Sequence, residues 1–156
     1  MRLIDILRAD CVKLPLAATT KQEAIYELVD LLADRGIIAN REELKNTVWQ
    51  REMTRTTGIG HGVAIPHGKV SDCKSLTLAI GKTSKPIEFN AVDKKPVELI
   101  FLLVSPIDQT GPHIQALASI SRLLINPSFR AAVRGASSSQ ELYRYIETQE
   151  SNQVIA

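Results

Sequence analysis

Aromatic residues and cysteines are both scarce in this chain. Phe, Trp and Tyr make up only 4% of its 156 residues, so the core has to be built from Leu, Ile, Val and Ala. The two cysteines, Cys11 and Cys73, are far apart and show no Cys-x-x-Cys spacing. This usage is typical of reduced proteins, so we expect a cytoplasmic location and no disulfide framework.

Long hydrophobic runs and blocks of basic residues are also missing. The longest apolar stretch, residues 97–104, is far shorter than the roughly 20 residues that a membrane-spanning helix needs. Asp5 interrupts the first residues, so we expect no signal-peptide core. The net charge is +2, and no basic cluster is interleaved with aromatics. We therefore expect neither nucleic acid nor membrane insertion among its interactions.

The common motifs of nucleotide-binding proteins and of serine hydrolases are absent as well. From residue 58 the sequence reads GIGHGV, which fits neither the phosphate-binding GxxxxGKS/T pattern nor the dinucleotide-binding GxGxxG pattern. No GxSxG turn is present to carry a nucleophilic serine. These absences argue against both classes.

The chain does contain strand-like and helix-like segments in alternation. Two capping boxes, Thr20 with Glu23 and Asn40 with Glu43, predict the starts of two helices. Further helices are predicted with Pro112 at the first helical position, over 128–134 and over 139–148, and strands over 11–16, 76–80, 87–89 and 97–104.

This alternation indicates the α/β class. The hydrophobic fraction of 44% is sufficient for a core, and the length fits one domain of ordinary size. We place that single domain over residues 1–150 and expect a frayed tail over residues 151–156.

The most informative segment is the glycine-rich stretch from residue 52 to residue 68. It surrounds one histidine, His67, with Pro66 and with four glycines: Gly58, Gly60, Gly62 and Gly68. Glycines permit unusual backbone angles and close approach by another group, and histidine acts as a base, ligand or nucleophile near neutral pH. The glycine density favours a functional imidazole at a strand end over a histidine that is tied into a turn.

Further polar residues of interest lie outside the centre of this segment. His113 falls in the first turn of a predicted helix, where free N–H groups and the helix dipole favour anions. Arg51 and Arg55 end the helix that leads into the glycines, and arginine suits phosphate oxygens. The plainer alternatives are a surface histidine near a helix cap and solvated cations at a helix end.

A zinc site is the competing interpretation of the histidines. His61, His67 and His113, with Cys73 as a fourth ligand, are the residues available for it. Their spacing lacks the close Cys/His pairs of structural zinc sites. We therefore expect no metal and no cofactor.

Residues 52–68, EMTRTTGIGHGVAIPHG, resemble the active-site signature of fructose/mannitol-type enzyme IIA domains of the bacterial phosphoenolpyruvate-dependent phosphotransferase system. The resemblance extends over nearly the whole chain, including residues 86–89, 96–104 and 108–113. It is strongest to the nitrogen-regulatory branch of the family, enzyme IIA-Ntr. Two mild departures are Thr56, where Ser is common, and Lys94, where Gly is frequent.

The resemblance implies a role for each candidate residue. His67 would be the phosphorylated nucleophile, His113 would stabilise the phosphate and Arg51 would be the active-site cation. The binding loop would contain Gly58, Gly60, Gly62 and Gly68. The implied fold is a mixed sheet of about five strands that is flanked by helices on both faces.

The implied function is a phosphoryl relay. His67 would accept phosphate from the phosphohistidine of an HPr-like carrier, and the phosphorylation state would regulate partners such as potassium-transport or sensor-kinase components. One alternative is a sugar-transport IIA that passes phosphate to a IIB domain. Another is a module that is not phosphorylated and binds an anion or metal in the same pocket.

Overall fold

A computed structural model describes the backbone of residues 1–155 and the side-chain surroundings of residues 1–151. After a 3₁₀ turn the elements are β1 (Leu7–Leu16), α1 (Lys21–Asp34), α2 (Arg41–Thr54), β2 (Gly58–Gly60), β3 (Val63–Ala64), β4 (His67–Val70), β5 (Thr77–Ile87), β6 (Val97–Pro106), α3 (Thr110–Ile125), α4 (Pro127–Gly135) and α5 (Ser139–Ile155). None of these helices is long and apolar enough to cross a membrane.

The strands form one mixed sheet of six strands, against about five predicted. Its order is β1-β5-β6-β3-β2, and β4 also pairs with β6. Strand β6 runs antiparallel to β5 and parallel to both β3 and β4. The short strands β3 and β4 therefore follow each other along one edge of β6, and this arrangement carries the chain from one end of β6 to the other.

Strand β6 is the centre of the core, as its apolar sequence predicts. Every side chain from Leu99 to Val104 is 0% exposed. Because successive side chains of a strand point to opposite faces, continuous burial means that both faces of the sheet are covered. The α/β class and the flanking of a mixed sheet by helices are thereby confirmed.

Both predicted N-caps start helices where expected, but the box at Asn40 is incomplete, because the Asn40 N–H donates to Asp72 at 2.8 Å and not to Glu43. The Thr20 side chain accepts a hydrogen bond from the backbone N–H of Glu23 at 3.2 Å. Asn40 does the same for Glu43 at 3.0 Å. Each cap satisfies a backbone donor that the first turn of a helix leaves free. The cap at Asn40 fixes the start of α2, whose last turn contains Arg51.

Two local predictions need correction. No separate strand forms over residues 87–89, because Ile87 is the end of β5 and pairs with Val97. Pro112 is the third residue of α3, since the helix already begins at Thr110 after the N-cap Gln109.

The last helix is longer than predicted. Helix α5 was expected over residues 139–148, but its backbone continues to Ile155. The predicted frayed tail, residues 151–156, thus overlaps the end of α5. The side chains of residues 152–156 lie outside the described part of the chain.

A buried carboxylate fixes the chain where α2 ends. Glu52 is 2% exposed. Its side chain accepts hydrogen bonds from the backbone N–H of Thr57, at 2.8 Å, and from the hydroxyl of the same residue. It also pairs with the Lys21 ammonium of α1 at 2.9 Å. Glu52 therefore joins α1, the end of α2 and the start of β2.

We predict that Glu52→Ala lowers the free energy of unfolding by about 2–4 kcal/mol, because it leaves the buried N–H of Thr57 without its acceptor and removes the carboxylate partner of the partly buried Lys21 ammonium, which keeps only the Phe89 carbonyl. Urea denaturation of the purified protein measures this loss. Glu42→Ala, an exposed position on the same helix, is the matched control and should stay within about 0.5 kcal/mol of wild type. A loss below about 1 kcal/mol for Glu52→Ala would contradict the anchoring role.

Candidate active site

His67 is the first residue of β4, at the end of the sheet where β6 finishes. It pairs with Leu103, and the Leu103 N–H donates to the Pro66 carbonyl at 3.0 Å. The next residue, Gly68, faces α2: a Cβ atom there would lie 3.1 Å from a methyl carbon of Val48. The missing side chain at Gly68 lets α2 pack closely against β4.

The hydrogen bond of the His67 ring identifies its free nitrogen. Nδ1 lies 2.9 Å from the carbonyl oxygen of Ile65. A carbonyl oxygen can only accept, so Nδ1 carries the hydrogen and donates it. In the neutral ring, Nε2 therefore holds the unshared electron pair, which is what a nucleophile requires.

His113 lies beside His67, as the family resemblance implies. The centroids of the two rings are 5.3 Å apart, and the ring planes meet at 61°. His113 is 4% exposed, and its Nδ1 forms a hydrogen bond with the hydroxyl of Ser105, a fully buried residue of β6. The start of α3 and the end of β6 thus hold the second imidazole in place.

Both rings are neutral at pH 7. Burial lowers the pKa of His67 below its ordinary value, and the charges of Arg51 and Lys69 add to this effect against the opposing Ile65 carbonyl and Glu52. Burial, followed by the charges of His67 and Lys69, lowers the pKa of His113 to about 4. The lone pair of His67 Nε2 is therefore available at neutral pH.

The lowered pKa of His113 makes the fold sensitive to acid. Between the ordinary pKa of 6.5 and about 4, the unfolded chain binds a proton at this residue and the folded chain does not. The corresponding stability is complete above pH 6.5 and is lost as the pH falls towards 4, by up to about 3 kcal/mol.

We predict that His113→Gln removes most of this pH-dependent loss. Urea denaturation at pH 7 and at pH 4 should show a decrease that is about 2–3 kcal/mol smaller for the variant than for wild type. His61→Gln, at an exposed histidine, is the control and should lose as much as wild type. Equal losses in the His113 variant and wild type would contradict a depressed pKa.

Arg51 lies near His67. It lies half-buried in the last turn of α2, and its Nη1 donates to the backbone carbonyl of Arg55 at 2.9 Å. Its charge is close enough to lower the pKa of His67. The side chain of Arg55 is exposed, and the contact through which it joins the site is this carbonyl.

Three of the four glycines that we predicted to form a loop around His67 lie in a different part of the sheet. Gly58, Gly60 and Gly62 belong to the β2–β3 hairpin, whose residue Val63 pairs with Leu99 of β6. His67 pairs with Leu103, four residues further along β6. At about 3.3 Å per residue, the backbone of Val63 lies about 13 Å along β6 from that of His67, and Gly58, which pairs with Ala64, lies about 10 Å from it. The expectation that all four glycines frame His67 is therefore corrected.

Each hairpin glycine has a structural reason instead. A Cβ atom at Gly58 would lie 2.8 Å from the Cα atom of Ala91. Gly60 and Gly62 have φ angles of 100° and 77°, which other residues rarely adopt. These glycines shape a tight hairpin, and of the predicted set Gly68 alone lies next to His67.

The residues considered for a metal site do not converge. His61 is exposed at the hairpin tip, away from the other two histidines. Cys73 contacts the Ser75 carbonyl at 2.9 Å through its sulfur. Among the described residues, no group of three or more His, Cys, Asp or Glu side chains is placed to hold a metal ion.

Sequence reasoning missed two residues of the site, Ser105 and Lys69. The Lys69 ammonium donates to Thr110 Oγ1 at 3.1 Å and lowers the pKa of both histidines. Its position two residues after His67 was a usable signal, because alternate residues of a strand share one face. Ser105 gave no such signal, since only the fold brings it to His113.

A neutral imidazole whose Nε2 lone pair is free, beside a second imidazole, can act as a nucleophile towards phosphorus. Residues 5–149 match the family model described as "Phosphoenolpyruvate-dependent sugar phosphotransferase system, EIIA 2". The chain belongs to this family of phosphoryl carriers, which transfer phosphate through a histidine.

Its relatives include regulatory and sugar-specific proteins. The chain is 32% identical over 155 residues to a nitrogen regulatory protein of Klebsiella oxytoca, covering 97% of this chain and 94% of the relative. It is 35% identical over 121 residues to the fructose-specific EIIA component of Haloferax volcanii, covering 78% and 79%. The crystal structure of nitrogen regulatory protein IIA-Ntr from Neisseria meningitidis superposes with a TM-score of 0.84 at 32% identity, covering 91% of this chain and 97% of that one.

Proposed function

We propose that His67 Nε2 accepts a phosphoryl group from the phosphohistidine of an HPr-like carrier protein. The observation that supports this most strongly is the 2.9 Å contact from His67 Nδ1 to the Ile65 carbonyl, because it leaves the lone pair on Nε2. The half-buried position of the ring at a strand end leaves one side of it open to a partner. Because such carriers work in the cytoplasm, this location is part of the proposal.

The transfer needs no metal and no net movement of protons. Nε2 attacks the phosphorus as the bond to the carrier imidazole breaks, and the electron pair of that bond stays on the carrier ring, which bears a hydrogen on its other nitrogen and so departs as a neutral imidazole. The hydrogen on His67 Nδ1 stays in its bond to Ile65. Bond making and bond breaking involve similar imidazoles, so positioning and charge stabilisation are the main tasks of the site.

His113 and Arg51 stabilise the negative charge on the phosphoryl oxygens. When the Ser105 hydroxyl donates to His113 Nδ1, the neutral ring carries its hydrogen on Nε2, away from Ser105. That N–H is then free to donate to an oxygen of the phosphoryl group. Arg51 adds a permanent positive charge and several donors.

Phosphorylation changes the charge of this surface. A phosphoryl group adds about −1.5 to −2 charges by analogy with other phosphorylated residues, which is large beside a net charge of +2. We propose that partners read this change, and that they include nitrogen- or potassium-related proteins such as transport or sensor-kinase components. The similarity to nitrogen regulatory proteins supports this choice.

A transport role is the second candidate, and the similarity to a fructose-specific EIIA component favours it. In that case His67 passes its phosphoryl group to a IIB domain. The residues of the site serve both roles equally, so the destination of the phosphate distinguishes them.

The test uses the purified protein and a phosphorylated HPr-like carrier that bears ³²P. We expect acid-labile label to move to the protein and to stay there when a fructose-type IIB domain is added. Rapid passage to the IIB domain would favour transport instead. Absence of label, together with retained binding of an anion or metal, would support the non-phosphorylated binding module.

A further inference from the structure

Lys69 is a cation near His67 that has no role in the phosphoryl transfer proposed above. It lies two residues after His67 on β4, so both side chains stand on the same face of the strand. The burial pattern agrees, because His67 and Lys69 are half-buried while Gly68 and Val70 between and after them are buried. Lys69 is thus the neighbour of the imidazole on its open face.

The ammonium of Lys69 also reaches the other side of the site. It donates to Oγ1 of Thr110, the first residue of α3, at 3.1 Å. Thr110 precedes His113 by three residues, a spacing that puts two side chains on one side of a helix. The contact from Lys69 to Thr110 therefore runs from β4 to α3 alongside the pair formed by His67 and His113.

The electrostatics agree with this placement. The charge of Lys69 lowers the pKa of His67 and also that of His113. The ammonium therefore acts on both rings from the side of the site where its bond to Thr110 holds it. Thr110 occupies one of its three hydrogens, and the other two are available to the phosphoryl oxygens.

We propose that Lys69 binds the phosphoryl group on His67, with its ammonium paired to the phosphoryl oxygens, and so stabilises the phosphorylated protein. This inference rests on the proposed phosphorylation of His67. It adds a second cation to Arg51: Arg51 approaches from the end of α2, and Lys69 from β4. The site then places positive charge on two sides of a group that carries about −1.5 to −2 charges.

The test follows the phosphate itself by ³¹P NMR. Phosphoramidate loads histidines chemically and releases ammonia, so no protein partner is needed, and mass spectrometry identifies the fraction labelled at His67. The second pKa of the phosphoryl group is then read from its chemical shift against pH. The other charged or titratable groups around it, Arg51 and Glu52 of α2 and His113 of α3, are the same in every sample.

We expect Lys69→Met to raise this pKa by about one unit, because removal of a nearby positive charge destabilises the dianion. Lys69→Arg should restore a value close to wild type. Lys74→Met, at an exposed lysine beyond β4, changes the net charge equally and should leave the pKa unaltered. The same pKa in Lys69→Met, Lys74→Met and wild type would overturn the role of Lys69.

The outcomes separate this inference from the function on which it rests. If phosphoramidate labels His67 but the HPr-like carrier does not, the carrier hypothesis is wrong and the ³¹P titration still decides on Lys69. If the carrier labels the protein and Lys69→Met has no effect on the pKa, the role of Lys69 alone is wrong. Failure of both reagents to label His67 overturns both proposals.

Discussion

Replacing His67 with alanine should abolish phosphoryl transfer to this protein. We expect no acid-labile label above background after incubation with a phosphorylated HPr-like carrier. The reason is that the bond to phosphorus forms with the lone pair of His67 Nε2, which the Nδ1 contact to Ile65 leaves free. No other group of the site replaces that lone pair in the same position.

The matched control is His61→Ala. His61 is exposed at the tip of the β2–β3 hairpin, about 13 Å along β6 from His67, so its loss should leave the yield and the rate unchanged. Both variants should keep the free energy of unfolding within about 1 kcal/mol of wild type. A labelled His67→Ala protein, or an unlabelled His61→Ala protein, would contradict the assignment.

Replacing His113 with glutamine slows phosphoryl transfer by about 10²–10³ fold without moving the phosphate to another residue. This is the usual cost of removing one preorganised donor to a developing charge. His113 lies 5.3 Å from His67 between ring centroids and is held by Ser105, so it is positioned before the carrier arrives. Single-turnover quench experiments measure the rate.

Ser105→Ala tests the role of His113 by changing the residue that holds its ring. It leaves His113 present but removes the hydroxyl that fixes its orientation, so we expect a smaller loss, of about tenfold. Equal rates in wild type and His113→Gln would show that the second imidazole has no part in the transfer. A complete loss of label in His113→Gln would instead make His113 the acceptor.

The features that were predictable from sequence are those that depend on neighbouring residues. The caps at Thr20 and Asn40 satisfy backbone N–H donors three residues away. The continuous apolar sequence of β6 is sufficient to predict that both of its faces are buried. The cap at Asn40 predicted where α2 begins. The helix from that start puts Arg51 in its last turn, just before the glycines in sequence. The approach of His113 to His67 was expected from resemblance alone, because the contact depends on how α3 leaves β6.

The glycines were misplaced for a physical reason. Gly58, Gly60 and Gly62 precede His67 closely in sequence, and a loop around the imidazole was the simplest interpretation. In the fold, β3 and β4 use successive halves of one edge of β6, so a few residues of extended chain carry the backbone away from the hairpin. Short strands that are rich in glycine have too weak a sequence pattern for this route of the backbone to be predicted.

The location of the phosphate tests the central claim most directly. After phosphorylation by the carrier, long-range ¹H–¹⁵N NMR on the labelled protein distinguishes the two ring nitrogens of each histidine. We predict one phosphorylated nitrogen, Nε2 of His67, with Nδ1 still protonated. Phosphate on Nδ1 of His67, on His113 or on His61 would contradict the account.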